Sequence, residues 1–163
     1  MIVISDTSPI RALCHLQKME LLHKLFGEML IPPAVEIELA SSAARTPSVD
    51  VRQWDFIRVE SPADVARVDE FAESLDPGES EALALAIERN ADAVLIDERA
   101  GRDEARRVGL VVIGTLGILV RSKQQDFIEK VQPLLEQLMN DFGFFVSDQL
   151  FEQILRMAGE FPE

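Results

Sequence analysis

The chain has 163 residues, of which 47% are hydrophobic and 28% charged. That mix excludes a disordered polymer and predicts one domain with a core large enough to fold unaided. One cysteine, Cys14, and two histidines, His15 and His23, exclude an intrachain disulfide and argue against a thiolate or histidine-rich metal centre. The net charge of −13 excludes a generally basic, nucleic-acid-binding surface.

Ile2–Ser5 is a short β-branched run, read as a strand, and it ends at Asp6. Thr7 or Ser8 can cap the helix that follows, with Pro9 in its first turn. Met19–Phe26 has helical spacing and stops at Gly27. Glu28–Pro32 reads as a second strand, and Pro33 opens a helix through about Ser42. Ala43–Asp50 reads as a loop or a short helix start. Phe56–Glu60 reads as a third strand and Pro62–Leu75 as a polar helix. Asp76-Pro77-Gly78 is a turn signal that launches a strong helix through Asn90. Asp92–Ile96 is a fourth strand, again followed by an acid, Asp97. A charged helix over Glu98–Val108, a strand at Leu110–Ile113 and a helix at Leu116–Ser122 come next. The remainder predicts a helix near Val131–Asn140, a short strand at Phe144–Val146 and a helix over Asp148–Met157.

Strands that alternate with helices predict an α/β fold, a parallel sheet covered on both faces. Residues 1–163 are read as a single domain in which 126–163 form a C-terminal helical extension. No run approaches the ~20 apolar residues of a membrane helix, and Met1–Pro9 lacks the basic stretch of a signal peptide. The expectation is a soluble cytoplasmic protein with no membrane partner. The bases are concentrated at Arg99, Arg102, Arg106, Arg107, Arg121 and Lys123. A solvated helix face and a substrate-facing patch are both open readings of that stretch.

In parallel sheets ligands bind at the carboxyl ends of the strands, where Asp6 and Asp97 both fall. At 100° per residue, Glu79 lies within about 40° of Leu83 and about 20° of Ala86, on the apolar stripe of its helix. An unpaired carboxylate there is costly, so Glu79 is a candidate functional group as well as a favourable first-turn anion. Glu81 falls on the opposite face and reads as solvated. Glu36 and Glu38 point about 200° apart, and the wheel does not choose between them. Strand-end aspartates with inward glutamates suggest a site for a hard cation, Mg²⁺ or Mn²⁺, which binds oxygen without histidine or cysteine. Phosphate chemistries with other signatures are absent. There is no P-loop, no G-x-G-x-x-G, no Asp-x-Asp at the first strand end, and no lysine after the fifth strand, where Gly114-Thr115 stands.

With these residues in place, the chain resembles the PIN-domain ribonuclease family, in the branch of the VapC-type toxins. The matching stretches are Val3–Leu13, Leu21–Leu39, Asp76–Ala86, Ala93–Leu110 and Gly114–Leu119, in order. The resemblance implies a three-layer α/β/α PIN-like fold with a central parallel sheet, and a metal-dependent endoribonuclease, with the role of a toxin in a toxin–antitoxin pair. It implies an acidic pocket holding Mg²⁺ or Mn²⁺ through Asp6, Glu38, Glu79 and Asp97, so it selects Glu38 over Glu36. Thr7 and Ser8 match polar groups that help to hold the first aspartate, and Asp103 matches an outer acid. The implied partners are an RNA substrate and a small antitoxin, and a homodimer is expected as well, from the apolar C-terminal stripe described below. The alternative is a non-catalytic PIN-like module that acts by binding protein. The tail beyond about Asp126 sets the chain in a longer subfamily, and its stripe of Leu150, Phe151, Ile154 and Leu155 is read either as packing on its own domain or as an interface.

Overall fold

The computed structural model describes residues 1–42 and 46–161. Its centre is a parallel sheet of β1 (Val3–Ser5), β2 (Met29–Ile31), β3 (Ile57–Val59), β4 (Ala93–Leu95) and β5 (Val112–Ile113), in the order β3-β2-β1-β4-β5. Val3 lies opposite Met29 and Ala93, and Ile4 opposite Leu30 and Val94. Successive strand residues point to opposite faces. Val3, Met29, Ile31, Leu95 and Ile113 therefore enter one apolar cluster, while Ile4, Val94 and Ile96 enter another.

Helices cover both faces. The first cluster takes side chains from α1 (Thr7–His15), α2 (Glu20–Phe26), α3 (Pro33–Ala40), α7 (Thr115–Gln124), α8 (Gln132–Asp141) and α9 (Asp148–Met157). The second takes them from α4 (Val65–Ala72), α5 (Pro77–Glu88) and α6 (Arg99–Arg107). This is the three-layer α/β/α arrangement that the strand–helix alternation predicts. In α5 every residue from Ala82 to Ala86 is fully buried, because the helix packs on β1 and β4 and is flanked by α3 and α4. Deleting a buried leucine such as Leu83 to alanine in such a place costs about 2–5 kcal/mol. Among the described residues, no helix is long and apolar enough to cross a membrane.

The chain runs outward from β1 through β2 to β3, then returns to place β4 on the other side of β1. The crevice at that reversal lies at the carboxyl ends of β1 and β4, directly under Asp6 and Asp97. Two local expectations change. The N-cap of α1 is Asp6, not Thr7 or Ser8, and its side chain makes no capping hydrogen bond. Phe144–Val146 forms no strand, since it meets no ladder partner. Gly143, at φ +71, turns the chain so that Phe144 and Val146 lie against the first cluster. Of the readings above, the loop at Ala43–Asp50 includes residues 43–45, which lie outside the described residues.

The tail packs on the rest of the chain. In α9, Ile154 and Leu155 are buried, and Leu150 and Phe151 lie half-buried against the first cluster. Glu160 fastens the far end. It accepts the backbone N–H of Val131 (2.6 Å) and Gln132 (3.1 Å) at the start of α8, and Lys123 Nζ donates to it at 3.3 Å. Burial alone would raise the Glu160 pKa, but these donors outweigh it and hold the carboxyl below its ordinary value. A depressed carboxylate stabilises the fold above its unfolded pKa, and the contribution disappears as pH falls through the folded one. Glu160→Gln should therefore cost about 1–2 kcal/mol near neutrality, and the gap in thermal midpoint from the wild type should close between about pH 6 and pH 3.

Candidate metal centre

Asp6 sits where β1 passes into α1. Its backbone N–H donates to Leu95 O (2.9 Å), which ties the position to β4. The residue is 4% exposed, and Oδ1 has no hydrogen-bond partner among the described residues. An N-cap aspartate ordinarily accepts from the N2 or N3 N–H of its helix; this one makes no such capping hydrogen bond. Burial pushes its pKa up to about 8. The nearby Thr7 N–H works in the other direction, and the charges of Asp76, Glu79 and Glu38 add to the rise.

Two further carboxylates meet Asp6. Glu38 comes from the last turn of α3 and Asp76 from the N-cap of α5. Asp6, Glu38 and Asp76 each offer an oxygen within 4.8 Å of the other two. Gly78 permits this approach. A Cβ there would stand 3.0 Å from Glu38 Oε2 and 3.1 Å from Asp6 Oδ1, so any side chain would wedge into the carboxylates.

Glu38 is held from both ends of α3. Arg11 Nη2 donates to Glu38 O (2.6 Å) and Ser41 O (3.0 Å), and Arg11 Nη1 donates to Pro47 O (3.1 Å), which satisfies the last carbonyls of the helix. At the other end Ala34 N–H donates to Glu81 Oε1 (3.2 Å). Glu81 is thus half-buried and joins α5 to α3, rather than standing free in solvent. Glu36 turns away toward Arg52, 3.9 Å distant.

Glu79 is buried on its stripe, at 5% exposure. It forms a capping box with Asp76: Glu79 N–H donates to Asp76 Oδ1 (2.8 Å), and Asp76 N–H to Glu79 Oε1 (3.3 Å). Its Oε2 has no partner among the described residues and fills the space beside Gly101 of α6, where a Cβ would come within 2.5 Å. Burial, then the charge of Asp76, raises the Glu79 pKa to about 7. Glu79 adjoins the group of three through Asp76 rather than sharing its centre.

Asp97 is bound differently. Thr115 N–H donates to Oδ1 (2.7 Å), and the hydroxyls of Thr115 (2.7 Å) and Ser8 (2.8 Å) donate to Oδ2. Asp97 therefore fastens the starts of α7 and α1 to the end of β4. Ser8 supports Asp97, not Asp6, and Thr7 Oγ1 is buried without a partner among the described residues. Asp103 stands apart on the exposed side of α6, near Arg99 and Arg106. Sequence reasoning passed over Asp76, Arg11 and Thr115. Asp76 carried a signal, an acid before Pro-Gly at a helix start, but as a turn marker it hid its carboxylate role.

A family model described as PIN domain matches residues 2–160. The chain belongs to the PIN-domain family. No curated protein matches it. PIN domains are generally nucleases that use divalent metal ions, and the residues present suit such an ion. The donors are hard oxygens, one of them is buried and unpartnered, and the like charges beside it repel until a cation joins them.

Asp6 and Glu79 bind protons more strongly folded than unfolded. Without metal, stability should therefore fall as pH rises from about 4 through 7 to 8, and then level off. Asp6→Asn in chelator should remove that repulsion and raise the thermal midpoint by on the order of 5 °C. Added Mn²⁺ should stabilise the wild type but not this variant, as scanning calorimetry can measure. Arg11→Met should cost about 1–2 kcal/mol and reduce the Mn²⁺-induced shift, because Glu38 loses its support.

Proposed function

We propose that the chain is a metal-dependent endoribonuclease that hydrolyses RNA phosphodiesters with Mg²⁺ or Mn²⁺. The observation that carries this reading is the buried, unpartnered Asp6 carboxylate, which meets Glu38 and Asp76 at the crevice of a parallel sheet. Asp6, Glu38 and Asp76 would hold the ion directly, with Glu79 and Asp97 acting through water or through their neighbours. An ion held there would supply a water nucleophile of lowered pKa and offset charge on the phosphate.

The chain's own residues prepare that chemistry. Asp6 must release its proton to act as a ligand, so its raised pKa makes loading pH-dependent. Glu38 and Asp76 are both exposed, which leaves the ion open to substrate from the solvent side. Asp97 with Ser8 and Thr115 fixes two helix starts beside the crevice and keeps the site's rim in place. A toxin role, with a small antitoxin or a second copy of the chain as partner, is the further reading that the resemblance to VapC-type toxins supports.

Cleavage of a mixed RNA pool in Mn²⁺ tests the reading. Asp6→Asn and Glu38→Gln should each lower the rate at least about a hundredfold, while exposed Glu136→Gln, on α8, should match the wild type. A wild-type rate in Asp6→Asn would sink the mechanism, and a wild type that binds partners without cleaving RNA would favour the non-catalytic module. Growth arrest on expression that requires Asp6 checks the toxin role.

A further inference from the structure

The basic stretch of α6 and α7 divides into two sets. Arg106 reaches Asp103 (3.9 Å), Arg107 reaches Glu104 (2.7 Å), and Lys123 reaches Glu160 (3.3 Å). Arg102 and Arg121 have no ion pair or side-chain hydrogen bond among the described residues, and Arg102 Nε is buried without a partner. Arg99 is 95% exposed and shares Asp103 with Arg106, at 4.0 Å.

These three arginines line one groove of about 840 Å³. Its inner end is Ser8 and Asp97, at the crevice beside Asp6. Its outer wall is the tail, where Phe144, Phe145 and Met157 stand. The tail presents one aromatic ring in an uncommon way. Phe142 and Phe144 pack against the core, with ring centroids 6.1 Å apart, and Phe142 also meets His15 at 5.2 Å. Phe145 beside them is 92% exposed. Two anchored rings and the Gly143 turn hold a third ring in water at the rim of an arginine-lined groove.

We propose that this groove binds single-stranded RNA, with Arg99, Arg102 and Arg121 on its phosphates and an unpaired base stacked on Phe145. Phe145 is then a positioning residue that the C-terminal segment adds to the site. The assignment of RNA rests on the endoribonuclease reading above. Charge complementarity favours a polyanion, since three arginines line the groove against two acids, Asp97 and Glu98, and two of the three, Arg102 and Arg121, have no ion pair among the described residues. The exposed ring favours a strand with free base faces, because a duplex keeps its bases stacked inside.

Fluorescence anisotropy with an uncleavable 2′-O-methyl 12-nucleotide strand tests the proposal, with thermal midpoints as the check on folding. Phe145→Ala should bind about tenfold more weakly. Phe145→Trp should restore binding and Phe145→Leu should not, which separates stacking from plain apolar contact. Arg121→Gln should reduce the slope of log K against log salt by about 0.7; Arg102→Gln should do the same, and Arg121 alone carries the test if that variant fails to fold. With cleavable RNA, Phe145→Ala should raise KM and leave kcat near the wild type. Wild-type binding by both Phe145→Ala and Arg121→Gln overturns the proposal, and so does a groove that binds a polyglutamate peptide but not the strand. If those two variants bind normally while Asp6→Asn abolishes cleavage, the groove assignment fails and the nuclease reading survives. If the binding effects appear but the wild type cleaves no RNA, the groove stands and the nuclease reading falls.

Discussion

Three carboxylates within 4.8 Å of one another are an electrostatic liability, and much of this fold is arranged to hold them there. Each comes from a different kind of chain position: a strand end, the last turn of one helix and the N-cap of another. None can relax without moving an element. Asp6 is fixed by its backbone bond to β4, Glu38 by Arg11 and Glu81 at the two ends of α3, and Asp76 by its capping box with Glu79. Gly78 removes the one Cβ that would separate them. Structural ion pairs are normally arranged to cancel charge, whereas here three acids are brought together by hydrogen bonds, none of which puts a cation between their carboxylates. Such a group could hold a divalent cation.

Asp97 shows the opposite economy. Its three donors satisfy most of its lone pairs, and both partner hydroxyls begin helices. Its position between the acidic group and the groove makes it a joint. The same carboxylate that braces α1 and α7 also sets where the groove wall stands relative to Asp6. A change at Asp97 therefore acts on packing as well as on charge, while a change at Asp6 acts almost purely on charge.

The strand ends, the layer order and the inward turn of Glu79 were legible because they depend on local periodicity. Val3–Ser5 and Ala93–Leu95 are buried on both sides and read as apolar runs, and one wheel was enough to place Glu79 on the buried stripe. What escaped depends on encounters between distant segments. Arg11 looks like any helix-surface arginine until α3 ends beneath it. Asp76 looks like turn chemistry until β1 and α3 converge on it. The choice between Glu36 and Glu38 could not come from the wheel, since both flank the stripe; it needed the neighbour across the gap, Arg52 for one and Asp6 for the other. The cap of α1 shifted to Asp6 for the same reason. A capping serine or threonine is a local preference, and the strand's end overrode it.

The net charge of −13 looks like an obstacle to any polyanionic substrate, but mean charge is a poor guide at this scale. The Debye length is about 8 Å in physiological salt, so acids on the far side of the sheet contribute little to the field in the groove. What matters there is which bases are already neutralised. Arg106, Arg107 and Lys123 are paired, and the exposed Arg99 shares Asp103 with Arg106, which leaves Arg102 and Arg121 without an ion pair among the described residues. These two and Arg99 converge on the groove that leads to the acidic crevice. A strand bound as proposed would pass from positive charge to a carboxylate cluster that disfavours a phosphate until a divalent ion offsets it. On the proposed reading, the two charge zones would make productive seating of a phosphate conditional on metal, while binding in the groove would not be.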